Sequence, residues 1–207
     1  MMRSFATLWL AAAVYGFSIG ASNSWLYAVR NLVKFPLLIV ATAAVCAVSY
    51  LVAARALAVP LPFVAVQRAV LAVFRDMAVM LAGLSPAVFF LAMTNRRAGP
   101  GDLGDYPLFQ GLNVAAIALC GCLAVLLQVR RLRADETSRR GAGRLMAAWM
   151  LVSLLVGGQM CWYLRPFFGI LGPGEAPPWF SGDRPDFRGA RSFYEAVWNL
   201  VSPPEGR

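Results

Sequence analysis

Histidine is absent from this 207-residue chain and lysine occurs once, at Lys34, and each absence closes off chemistry. Without histidine there is no His-ligated haem, no HExxH zinc hydrolase and no Ser-His dyad. A Gly-rich phosphate loop needs its lysine, and no such loop precedes Lys34. Acidic residues number only ten, and Asp76 alone lies beside a long apolar stretch, so an intramembrane aspartyl dyad is excluded. Charged residues of both signs make up 14% of the chain, against about 25% in soluble domains. So few charges cannot coat the core of a water-soluble protein of this size.

What remains is apolar and arranged in long runs. Ionisable residues are missing from Ser4 to Val29, Phe35 to Ala54, Met77 to Asn95, Tyr106 to Val129 and Leu145 to Leu164, which are gaps of 26, 20, 19, 24 and 20 residues. Each approaches or exceeds the ~20 residues that carry a helix across the hydrocarbon core. The expected fold is therefore all-α: a polytopic transmembrane helix bundle over residues 1–167, with about five spans near 5–27, 35–54, 71–94, 109–129 and 145–165. A β-barrel is excluded because barrel strands alternate apolar with polar residues, whereas Leu145 to Leu155 is almost continuously apolar. The basic start at Arg3 and the small residues Ala11 to Ala13 have some character of a secretory signal. The run exceeds a signal's apolar region and no polar mature domain follows, so it is kept as the first span.

Arginine sets the expected orientation, because it resists translocation. Arg3, Arg55, Arg68, Arg75, Arg130, Arg131, Arg133, Arg139, Arg140 and Arg144 fall on one side of a five-span threading; Arg30, Lys34, Arg96 and Arg97 fall between spans on the other. The expectation is a bacterial inner-membrane protein with its N-terminus cytoplasmic and its C-terminus periplasmic. The net charge of +9 fits topology and anionic-lipid contact, so the partners expected are the lipid bilayer and other membrane subunits or a second copy, with no nucleic acid.

Ala12, Gly16, Gly20 and Ser24 recur at intervals of four on the first span and mark a helix-packing interface, facing either another span or a partner. Trp25 and Tyr27 suit the headgroup level, and Lys34, Phe35 and Pro36 open the second span, with proline in a first turn that has no donor to lose. Residues 59–75 are either an interfacial helix or the projecting start of a tilted third span, which Pro86 then bends. Arg75 and Asp76 form an ion pair, at the membrane boundary or within it. Asn113 and Gln128 are expected at the two interfaces of the fourth span.

Residues 168–207 form a Pro/Gly-rich extracytoplasmic tail, with a short amphipathic helix at about 192–201 signalled by the Ser192 and Glu195 capping pattern. Phe193, Val197 and their helical neighbours share one face, flanked by Trp198. Docking of this tail on the bundle is expected to involve Gln159, Trp162, Arg165, Phe193, Glu195, Val197 and Trp198. Arg165 either snorkels among aromatic anchors or clips the tail through Glu195. Cys46, Cys120, Cys122 and Cys161 all fall inside spans and behave as small apolar residues; Cys120 and Cys122 lie about 200° apart around a helix and cannot share one metal. No cofactor and no catalytic residue is expected.

Lys34, Phe35, Pro36 and Leu37, then Gln159, Trp162, Leu164, Arg165, Pro166 and Phe167, then Phe193 to Val197, resemble a group of uncharacterised bacterial polytopic membrane proteins. The five-span layout is also similar to that of the Yip family of trafficking and membrane-organisation proteins, from which the Pro-rich tail departs. Neither resemblance implies catalytic residues. The expected function is non-enzymatic: an accessory, assembly or scaffolding subunit acting through helix packing and its outer tail. The alternative is a small transporter or channel component.

Overall fold

The computed structural model describes residues 2–22, 25–59, 61–94, 106–133, 141–164 and 192–195. These form an all-α bundle of five long apolar helices, with no strand among the described residues. They are α1 (Met2–Gly20), α2 (Trp25–Ala56), α3 (Phe63–Thr94), α4 (Tyr106–Arg133) and α5 (Ala142–Leu164), and all five are long and apolar enough to cross a membrane. The chain thus has the architecture of a multi-pass membrane protein.

The helices pack as a ring. α1 lies against α2 and α3, α4 against α3 and α5, and α5 closes on α2, while α2 and α3 touch across the middle. Phe17 stacks on Phe89 at 6.4 Å near one end of α1, and Phe5 approaches Leu71 near the other, so α1 and α3 run in the same direction. At the far side, the Tyr50 and Trp149 rings stack at 4.4 Å and 8°, and the Trp149 indole N–H donates to the Tyr50 carbonyl at 3.3 Å. The Tyr50 and Ser153 hydroxyls bond to each other beside them. Buried hydroxyls elsewhere fold back on their own helices: Thr42 donates to the Leu38 carbonyl at 2.8 Å and Ser18 to that of Val14 at 3.1 Å. Such back-bonding lets a polar side chain sit where no water can serve it.

The first two helices differ from the sequence expectation, and α1 ends at Gly20, not at residue 27. α2 begins at Trp25, not at residue 35, and carries Pro36 inside it. Proline there removes the bond to the Leu32 carbonyl without ending the helix, which neighbouring helices in a bundle tolerate. α3 is continuous from Phe63, so residues 63–75 are the first turns of a long helix and not a separate surface element. α2 ends in a Schellman turn: the Val59 N–H donates to the Ala54 carbonyl at 2.9 Å and the Ala58 N–H to that of Arg55 at 3.1 Å. This puts Ala58 at a φ of 52°, a left-handed position that glycine usually takes.

Candidate functional site

The small stripe of α1 is turned inward against α2. A Cβ on Gly16 would lie 2.6 Å from both the Asn31 carbonyl oxygen and the Phe35 Cβ, and one on Gly20 would lie 2.6 Å from the backbone of Tyr27 and Ala28. Ala12 is fully buried. Of the four stripe residues, Ser24 lies outside the described residues. The two glycines therefore serve contacts within the chain, where backbones approach too closely for any side chain.

This close approach frames a buried polar group. The Tyr15 hydroxyl on α1 donates to Asn113 Oδ1 on α4 at 2.9 Å, and Asn113 Nδ2 donates to the Phe109 carbonyl at 2.8 Å. The Tyr15 ring packs on Phe35 at 5.4 Å. On α2, Asn31, Lys34, Phe35 and Leu38 follow helical spacing and are all buried, with Lys34 only 5% exposed. Asn31 and Lys34 are both engaged by neighbours. Asn113 is thus inside the bundle at 2% exposure, its amide spent on α1 and on its own helix. Lys34 is ten residues into a helix whose first turn it was expected to open.

At the opposite end, eight of the nine described arginines, Arg3, Arg55, Arg68, Arg75, Arg130, Arg131, Arg133 and Arg144, gather where α1, α3 and α5 begin and α2 and α4 finish, while Arg30 lies in the first turns of α2. Asp76 is held here between two of them. Arg75 Nη2 meets Asp76 Oδ1 at 2.6 Å, and Arg131 Nη1 on α4 meets Oδ2 at 2.7 Å. Arg131 also reaches Gln128 Oε1 at 3.4 Å. The expected Arg75 and Asp76 pair is therefore part of a three-residue bridge between α3 and α4, with the carboxylate side chain 14% exposed and Arg131 52% exposed.

The third feature is the C-terminal half of α5. The buried residues of this helix, Ala142, Leu145 and Trp149, all fall in its N-terminal half. Beyond them, a Cβ on Gly158 would meet the Phe193 ring at 2.8 Å and the Tyr194 hydroxyl at 3.1 Å. The Tyr194 hydroxyl donates to the carbonyls of Leu154 and Leu155. Burial, and then the Cys161 thiol, push this hydroxyl above its ordinary titration range. Ser192 Oγ accepts from the Glu195 N–H at 3.2 Å, the N-cap bond that the capping pattern anticipates. Gln159 Oε1 is buried without a hydrogen-bond partner among the described residues. Trp162 is half-buried and engaged by a neighbour. Arg165, Val197 and Trp198, and with them the expected Arg165 clip, lie outside the described residues.

Among the described residues, no three His, Cys, Asp or Glu side chains come together to hold a metal ion. Comparison with known protein families, with curated proteins and with solved structures finds no match to this chain.

Proposed function

We propose that this chain is a non-enzymatic multi-pass protein of the bacterial inner membrane, working as an accessory, assembly or scaffolding subunit. The observation that carries this is the seat of Phe193 and Tyr194 against Gly158 on the helix least covered by the rest of the bundle. Leu151, Leu154 and Leu155 remain exposed on that helix, and a Cβ on Gly157 would meet nothing within 4 Å. A helix from another subunit has room to pack there, beside the tail that marks the place. The gathering of arginines at one end of the bundle supports an orientation with that end cytoplasmic and the tail periplasmic. The same proposal takes the chain as one of the uncharacterised bacterial five-span proteins that its motifs resemble.

Photo-crosslinking residues at Leu151 and Leu155, in native membranes, test the idea. A discrete protein adduct, either a partner or a second copy, is expected; adducts with lipid alone at both positions overturn it. A second reading, a small transporter component, is favoured by the burial of Lys34 on α2, three residues from the buried Asn31, since ionisable side chains inside a bundle mark solute pathways. Solute flux in liposomes that Lys34→Met abolishes, while the bundle stays folded, is the result that selects it.

A further inference from the structure

We infer that the arginine-rich end of the bundle carries a site for one anionic phospholipid, its acyl chain lying between α1 and α3 and its phosphate held by Arg68 and Arg75. An open groove of about 470 Å³ lies there, lined by Met2, Phe5, Ala6 and Leu71. Its lining is wholly apolar side chains, so it suits hydrocarbon and offers a free polar ligand nothing to bond.

The polar part of the site follows from helical spacing. Arg68 and Arg75 lie three residues before and four residues after Leu71, so both stand on the α3 face that borders the groove. Arg68 is exposed and the Arg75 side chain is 31% exposed. Asp76 does not cancel them. It is the sole described carboxylate at this end, and Arg131 already shares it with Arg75, which leaves two guanidinium groups against one carboxylate. Arg75 spends Nε and Nη2 on Asp76, which leaves Nη1 to donate to a phosphate oxygen. A zwitterionic lipid would bring its own cation against this arginine cluster, whereas a lipid with net negative charge meets the rim and the groove together.

The test is native mass spectrometry of the full chain in detergent, with phosphatidylglycerol and phosphatidylcholine of equal chain length supplied together. A saturable one-lipid adduct is expected, favouring phosphatidylglycerol about tenfold. Arg68→Gln with Arg75→Gln lowers that adduct to the phosphatidylcholine level, whereas Arg68→Lys with Arg75→Lys retains it. Leu71→Trp, which fills the groove, lowers it as well. Equal occupancy by the two lipids in the unaltered protein overturns the proposal, and this arm needs no variant to fold. An unchanged adduct in a double-Gln variant that elutes like the parent also overturns it. Displacement of the lipid by inorganic phosphate would make the site one for a free anion and end the lipid assignment.

Discussion

Asp76 on α3 and Arg131 on α4 meet at 2.7 Å, an ion pair that ties one helix to the next in the ring. Gln128 steadies the arginine one turn back along α4. Because the carboxylate is mostly covered and two guanidinium groups converge on it, its removal leaves donors that were desolvated in its favour. Asp76→Asn is expected to destabilise the bundle by about 1–3 kcal/mol. Arg131→Ala, which removes a half-exposed partner, is expected to cost less, about 1 kcal/mol or below. Thermal unfolding in detergent at low and high salt measures both, and the Asp76 effect should survive the salt.

Glycines in this protein divide sharply by what surrounds them. Gly16→Ala or Gly20→Ala drives a methyl group into backbone atoms 2.6 Å away and must separate α1 from α2. A loss of about 1–3 kcal/mol is expected at either site. Gly83→Ala, on α3 with nothing within 4 Å, is neutral or stabilising by up to about 1 kcal/mol. Equal effects at Gly16 and Gly83 would contradict the packing described for α1.

Ala58→Gly should stabilise the chain, since the turn that ends α2 holds this residue at a φ of 52°. The gain is about 0.5–1 kcal/mol, the strain relieved less the extra freedom glycine has when unfolded. Ala58→Val, with a branched side chain in the same conformation, should lower the unfolding temperature instead.

The tail seat has its own signature. Tyr194→Phe removes the donor to the Leu154 and Leu155 carbonyls, and Gly158→Leu removes the room for Phe193. Either is expected to speed protease cleavage of the tail without unfolding the bundle. The same docking should depend on pH in one direction. A hydroxyl whose titration is raised in the docked state contributes fully below the ordinary tyrosine value of about 10. That contribution fades as pH rises through the docked value, because the ionised oxygen no longer donates. Cleavage should therefore be flat from pH 7 to 9 and accelerate only in stronger alkali.

The sequence made the helices legible because missing charge is a one-dimensional signal. Four of the five runs that contain no ionisable residue match one helix each, while the first, Ser4 to Val29, carries most of α1 and runs on into the start of α2. Lys34 and Asn31 were not legible as buried, because the rule that equates charge with a boundary assigns both to a loop. Their spacing with Phe35 and Leu38 was the signal available, a helical face running straight through a charge and into Pro36. Asn113 was missed for a related reason: its partner, Tyr15, is 98 residues away, and no local pattern encodes that bond. Asp76 was legible as half of a pair with Arg75, but Arg131 entered only when the ring brought α4 beside α3.

The closeness of α1 and α2 bears on how the chain first enters lipid. α1 is among the least apolar of the five helices and α2 is the most apolar, and between Gly20 and Trp25 only four residues separate them. With Gly16 and Gly20 pressed against the first turns of α2, neither helix can slide past the other once they meet. Newly made protein is therefore expected to commit α1 and α2 to the bilayer together, as a hairpin in which the more apolar helix draws in the other. Lengthening that turn would uncouple the two, and α1 would be left to partition alone.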